Sequence, residues 1–208
     1  MTPVSTSPEL ANEANASPEK KNNLRLVIVA SSVGTLIEWY DLLLAVIMAN
    51  ILSMQLFPAG GNNFIETLGI VATTYLIRPF GSLLFGNFGD KIGRKYTFLV
   101  SLLLMGGATF LIGCIPTYEQ AGWVSPILFL ILRLLQGLAI SGEYSGAVIY
   151  VAEHSPQHKR GFYTGFIQTT SSIALILGLV VVFSTKSMMS EESFNSFGWR
   201  IPFLFSAI

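Results

Sequence analysis

Charge is what this chain of 208 residues has least of. Asp, Glu, Lys and Arg together make up 12% of it, about half the roughly 25% of a soluble domain. Set against 51% hydrophobic residues and a mean hydropathy of +0.59, that deficit argues against a water-soluble globular protein. The formal net charge is zero, so no global field draws a polyanion and no nucleic-acid partner is expected. A single cysteine, Cys114, excludes a disulfide framework within the chain; in its apolar run it reads as a small buried hydrophobe. Histidine is limited to His154 and His158. Their spacing would pair them on one helix face, but Pro156 stands between them, so no zinc site is expected. The chain also lacks a Gly-x-Ser-x-Gly elbow, a His-Glu-x-x-His pair and a phosphate-binding loop. Nothing in it supports an embedded enzyme, a metal site or an organic cofactor.

What the chain has is long apolar runs. A membrane-spanning helix needs about 20 mostly apolar residues. Five stretches meet that length, near residues 26–52, 64–88, 96–115, 125–151 and 162–184, and a sixth runs from about 198 to 208. They are too long for strands and show no period-two alternation. The expected fold class is therefore an all-α membrane protein. Residues 1–23 are polar and rich in Ser, Asn, Ala, Pro and Glu, too poor in apolar side chains to fold, and read as a disordered tail. Residues 24–208 form the helical bundle. Its last helix reads as truncated, about ten residues or roughly 15 Å into the bilayer.

The cations orient the bundle. Lys20, Lys21 and Arg25 precede the first stretch; Lys91, Arg94 and Lys95 separate the second and third; Lys159 and Arg160 separate the fourth and fifth. All fall on one side, against Lys186 and Arg200 on the other. By the positive-inside rule the first side is cytoplasmic, with the N-terminus inside.

Several charges lie within the apolar stretches, where each costs about 2.5–3.5 kcal/mol on an insertion scale and calls for a partner or water. Glu38 and Asp41 are three residues apart on the first stretch, hence on one helical face. Neighbouring carboxylates repel and suit a proton carrier; an arginine-neutralised structural pair is the other reading. Arg78 precedes Pro79 on the second stretch, where a proline kink beside a cation points to a lined cavity or to neutralisation of those acids. On the fourth stretch Arg133, Gln136 and Glu143 make one polar stripe, with Gly137, Ser141, Gly142, Ser145 and Gly146 available for close helix packing. Gln168, with Ser171 and Ser172 on the fifth, either lines a solute path or bonds to a neighbour.

The tract Gly86-Asn87-Phe88-Gly89-Asp90-Lys91-Ile92-Gly93-Arg94-Lys95 reads as a compact charged turn between the second and third stretches. It resembles the signature of the major facilitator superfamily. The tracts Glu38-Trp39-Tyr40-Asp41, Arg78-Pro79-Phe80-Gly81, Arg133-Leu134-Leu135-Gln136-Gly137 and Trp199-Arg200-Ile201-Pro202-Phe203, with Glu153 and Arg160-Gly161, narrow the resemblance. They match its metabolite:proton symporter family, which includes proline/betaine, citrate, 2-oxoglutarate and shikimate permeases. One departure is Ser141-Gly142-Glu143, where family members often carry Gly-Gly-Glu.

The resemblance implies the N-terminal six-helix bundle of a twelve-helix fold whose halves rock about a mid-membrane site. It links Glu38, Asp41 and Arg133 to proton coupling. It makes Gly86, Asp90, Gly93, Arg94, Lys95, Glu153 and Arg160 a conformational gate. Arg78, Gln136, Glu143 and Gln168 are left as candidates for the solute path. The expected function is proton-coupled symport of a small organic acid or zwitterionic osmolyte across a bacterial inner membrane. The proton is the coupling ion, and a C-terminal half is the expected partner. The alternative is a truncated half that does not transport, a remnant or a membrane interaction partner.

Overall fold

The computed structural model describes residues 18–60, 63–141, 157 and 160–207. Every regular element among them is helical. The first span is α1 (Pro18–Ile47) followed by α2 (Ala49–Leu56). α1 opens inside the stretch expected to be an unfolded tail. Pro18 suits the first helical position, where its missing N–H is no loss. The two helices meet at Met48 with a bend of 67° between residues 32–47 and 49–56. Neither proline nor glycine sits at this break. The bend instead turns Ala49, Leu52 and Leu56 inward, next to Leu44, Ala45 and Met48, and all six are buried.

The second span is α3 (Asn63–Leu76) and α4 (Arg78–Ile92), joined at Ile77. Pro79 cannot donate to the carbonyl one turn back, which is why the helix is interrupted here. The break is mild, and residues 63–91 still run as one apolar rod. α5 (Arg94–Cys114) is the third span. α6 (Tyr118–Ala121) is a single turn in the connection, where the Thr117 N–H donates to the Gln120 side chain at 3.3 Å. α7 (Val124–Ile140) covers the described part of the fourth span; residues 142–156, including Glu143 and Glu153, lie outside the described residues. α8 (Arg160–Met188) is the fifth.

After α8, α9 (Glu191–Ser196) is a short surface turn started by Ser190, whose hydroxyl accepts from the Ser193 N–H. The sixth stretch is not one regular helix. It passes from a 3₁₀ turn (Gly198–Arg200) through α10 (Ile201–Leu204) to a second 3₁₀ turn (Phe205–Ala207). Pro202 sits in the first turn of α10, where it removes no helical bond.

Among the described residues, 63–91 and 168–188 are long and apolar enough to cross a membrane, with the bent first span a third. Residues 99–114 and Val124–Ile140 are apolar but shorter. α1 packs along α8, and α7 lies between α3 and α4 on one side and α5 on the other. A cluster of Leu44, Met48, Leu52, Ile112, Phe129, Trp199 and Phe203 closes the bundle at the end away from the α4–α5 joint. Large apolar side chains of α4, α5 and α8, such as Leu83, Leu103 and Phe183, face outward, as lipid or a second protein surface requires. Cys114, expected to be buried, is exposed at the end of α5; that span ends there, before Pro116.

Candidate functional site

α1 carries two acids one turn apart, and each meets its own arginine. Arg133 of α7 places Nη1 2.6 Å from Asp41 Oδ2, and both residues are buried, at 1% and 3% exposure. Arg78, at the head of α4, places Nη2 2.7 Å from Glu38 Oε1. This second pair is more exposed, with side-chain exposures of 32% for Arg78 and 11% for Glu38. The repulsion expected between the neighbouring carboxylates is therefore offset by two separate cations, and the pairing of Arg78 is with Glu38, not Asp41.

The buried pair extends into a network. Thr109 of α5 donates its hydroxyl to Asp41 Oδ1 at 3.0 Å, and Gln136 Nε2 of α7 donates to Thr109 Oγ1 at 2.9 Å. Three spans thus converge on one carboxylate. Gln136 is fully buried and is part of this network. Arg133 lies over the Phe129 ring, its guanidinium carbon 5.3 Å from the ring centroid. Its Nε and Nη2, with Gln136 Oε1, find no hydrogen-bond partner among the described residues. Arg133 therefore keeps the edge of its fork that holds a carboxylate in two-point fashion uncommitted.

Around the more exposed pair, the Arg78 guanidinium carbon stands 4.5 Å from the centroid of the half-exposed Tyr75 ring. An acid, a guanidinium and an aromatic face are together suited to a zwitterion.

The glycines of the same tracts allow this convergence. A methyl group on Gly137 would overlap Thr74 and Ile77, and one on Gly81 would overlap Ser141 and Leu138. α7 therefore touches α3 and α4 backbone to backbone. Thr74 donates to the Arg133 carbonyl across that contact, at 3.4 Å.

Gln168 is exposed on α8. Its neighbours Thr169 and Ser171 turn their hydroxyls back to the carbonyls of Gly165 and Gln168, as such side chains do within a helix. Arg160 opens α8 and is exposed.

The Gly86–Lys95 tract, read as a compact turn, is almost wholly helical. α4 continues through Gly86, Gly89, Asp90 and Lys91 to Ile92, and α5 starts at Arg94. Gly93 alone makes the turn, at φ 100°. Its N–H donates to the Gly89 carbonyl, while its own carbonyl accepts from Tyr96 and Thr97. Asp90 and Lys91 are exposed.

The Trp-Arg-Ile-Pro-Phe tract ties the last stretch to the site's scaffold. Arg200 donates to the Gly113 carbonyl of α5 at 2.9 Å and lies 4.6 Å over the Trp199 ring. The hydroxyl of Tyr40, next to Asp41, donates to the Pro202 carbonyl at 2.7 Å.

A protein-family model described as sugar (and other) transporter matches residues 26–208. The chain belongs to that family, within the major facilitator superfamily. Among curated family members, the proline/betaine transporter of Escherichia coli K12 is 40% identical over 183 residues, covering 86% of this chain and 36% of its own length. The shikimate transporter of the same strain is 38% identical over 187 residues, covering 88% and 43%. The glycine betaine/proline/ectoine/pipecolic acid transporter OusA of Dickeya dadantii is 38% identical over 182 residues, covering 86% and 36%. The chain thus spans less than half the length of these relatives.

Among solved structures, the proton:xylose symporter XylE bound to 6-bromo-6-deoxy-D-glucose superposes with a TM-score of 0.75 at 17% identity, over 89% of this chain and 42% of XylE. At that identity the likeness establishes the fold, which is the helical half of a major facilitator.

Thr109 and Tyr75 are the residues that sequence reading missed. Each sits in an apolar helix, with no local pattern to set it apart from ordinary packing residues.

Proposed function

We propose that this chain supplies the N-terminal half of a proton-coupled symporter for a small organic acid or zwitterionic osmolyte. The carrying observation is the buried Asp41–Arg133 pair, 2.6 Å apart and joined by a hydroxyl from a third span. An acid held in oil by one cation exchanges a proton at low cost if the cation can find another anion, such as an incoming solute carboxylate. Among the described residues, two nitrogens of Arg133, Nε and Nη2, have no partner and are left for such an anion. Glu38, Asp41 and Arg133 then form the proton-coupling set, and Arg78 with Gln136, Glu143 and Gln168 the solute path. The proline/betaine, shikimate and ectoine carriers among the relatives support a solute bearing a carboxylate.

Gly86, Asp90, Gly93, Arg94, Lys95, Glu153 and Arg160 serve as the cytoplasmic gate. The partners are the lipid bilayer and a second set of helices that completes the transport cleft. The cation distribution supports an N-terminus in the cytoplasm, and the curated relative named as an inner membrane metabolite transport protein of E. coli supports that membrane.

The test is uptake into proteoliposomes under an inward proton gradient, using a panel of carboxylates, betaine and proline, with the protein carrying both halves. Arg133→Ala is expected to abolish accumulation. Unchanged uptake removes Arg133 from the mechanism, and uptake indifferent to the gradient removes proton coupling.

A further inference from the structure

Thr109 Oγ1 is committed to more partners than one hydroxyl proton can serve. It accepts from Gln136 Nε2 at 2.9 Å, and its single proton has two acceptors at equal distance, Asp41 Oδ1 and the Met105 carbonyl, each 3.0 Å away. A threonine hydroxyl has one donor and two lone pairs. With Gln136 filling one lone pair, two arrangements satisfy its proton. In the first, its proton points to Asp41 and supports a carboxylate. In the second, its proton turns to Met105, the ordinary bond of a threonine to the carbonyl one turn back, and the lone pair it frees accepts from a protonated Asp41.

We infer that Thr109 is a positioning residue that lets Asp41 exist both charged and neutral in a dry site. Asp41 Oδ2 is held by Arg133, so Oδ1 is the oxygen that takes the proton. The arriving proton comes from water at the membrane face and forms the Oδ1–H bond. No bond of Thr109 is made or broken; its hydroxyl only rotates. On release the proton returns to water and the hydroxyl swings back. Gln136 keeps its bond to Oγ1 throughout, which pins the rotor. Without such a group, one of the two states of Asp41 would leave a buried polar atom unpaired.

Among the described residues, the charged and titratable groups around Asp41 come from α1, α4 and α7. Arg133 arrives from α7; Glu38 and Tyr40 stand on α1 itself; Arg78 at the head of α4 is held by Glu38. α5 brings the uncharged hydroxyl, and the cations of α8, Arg160 and Lys186, sit at its two ends. Removing Thr109's hydroxyl changes none of these.

Thr109 has this role only if Asp41 carries the proton, as proposed above, and the experiment separates the two. The chain is reconstituted in lipid membranes and titrated while the carboxylic-acid C=O stretch is followed by infrared difference spectroscopy. Asp41→Asn identifies the band that belongs to Asp41. In Thr109→Val, which keeps the shape and loses the hydroxyl, that band is expected at higher frequency. Its half-titration is expected to move to higher pH by about half a unit or more, because a hydrogen bond to the carboxylate is stronger than one to the neutral acid. Thr109→Ser is expected to restore both. A Thr109→Val band unchanged in position and midpoint overturns the role of Thr109, as does a Thr109→Ser variant that behaves like valine. If the parent shows no titrating band that depends on Asp41, the proton-carrier reading falls and takes this role with it.

Discussion

Gly137 of α7 lies so close to Thr74 of α3 that a methyl group on the glycine would overlap the threonine carbonyl. The Arg133 side chain, one turn earlier on α7, reaches Asp41 from this tightly seated helix. Gly137→Ala is therefore expected to destabilise the bundle by about 1–3 kcal/mol through overpacking. Gly69→Ala, on the same face-to-face pair of spans but with open space at its Cβ, is expected to be neutral or stabilising by up to about 1 kcal/mol. Denaturation in mixed micelles compares the two.

The two ion pairs are expected to differ sharply in their worth. Arg133→Met leaves a buried carboxylate without its cation and is expected to cost about 3–5 kcal/mol, with Asp41→Leu in the same molecule recovering much of the loss. Glu38→Gln breaks a pair whose arginine is partly exposed and is expected to cost less than Arg133→Met. A double-mutant cycle on each pair measures the coupling. Equal couplings would contradict the difference in burial.

Gly93→Ala forces a side chain onto a backbone at φ 100°. The expected cost is about 1–3 kcal/mol, confined to the α4–α5 joint. Hydrogen exchange should rise at residues 89–97 and remain unchanged in α8. Substituting Gly86, which is helical and has open space at its Cβ, serves as the contrast and is expected to leave exchange at the joint unaltered.

Tyr40→Phe removes the donor to the buried Pro202 carbonyl. The orphaned acceptor is expected to cost about 1–3 kcal/mol and to loosen the stretch from Gly198 to Ala207 ahead of the other helices. Cysteine accessibility scanning of that stretch reads the effect. Uniform protection would show that Arg200, through Gly113, holds it unaided.

Much of this architecture was legible in the sequence because oil is an unforgiving solvent. Hydrocarbon admits only helices here, so long apolar runs read as helices, and buried charges had to find each other. Asp41, Arg133, Glu38 and Arg78 stood out for that reason. Which acid took which arginine did not, because it depends on how α4 and α7 rotate about α1. Thr109 was illegible for a related reason: a hydroxyl that can bond its own helix carries no penalty in an apolar run and leaves no trace in composition. The bend at Met48 was hidden because packing makes it, with no proline or glycine to announce it. Gly93 was visible within its motif, but the surrounding charges suggested a wider turn than the single residue that makes it.

With one residue between them, α4 and α5 have no slack. A hinge that short lets the hairpin fold or unfold about a point but forbids one rod from sliding past the other. Any shift of α4 along its own axis is therefore carried through Gly93 to the end of the helix that carries Thr109.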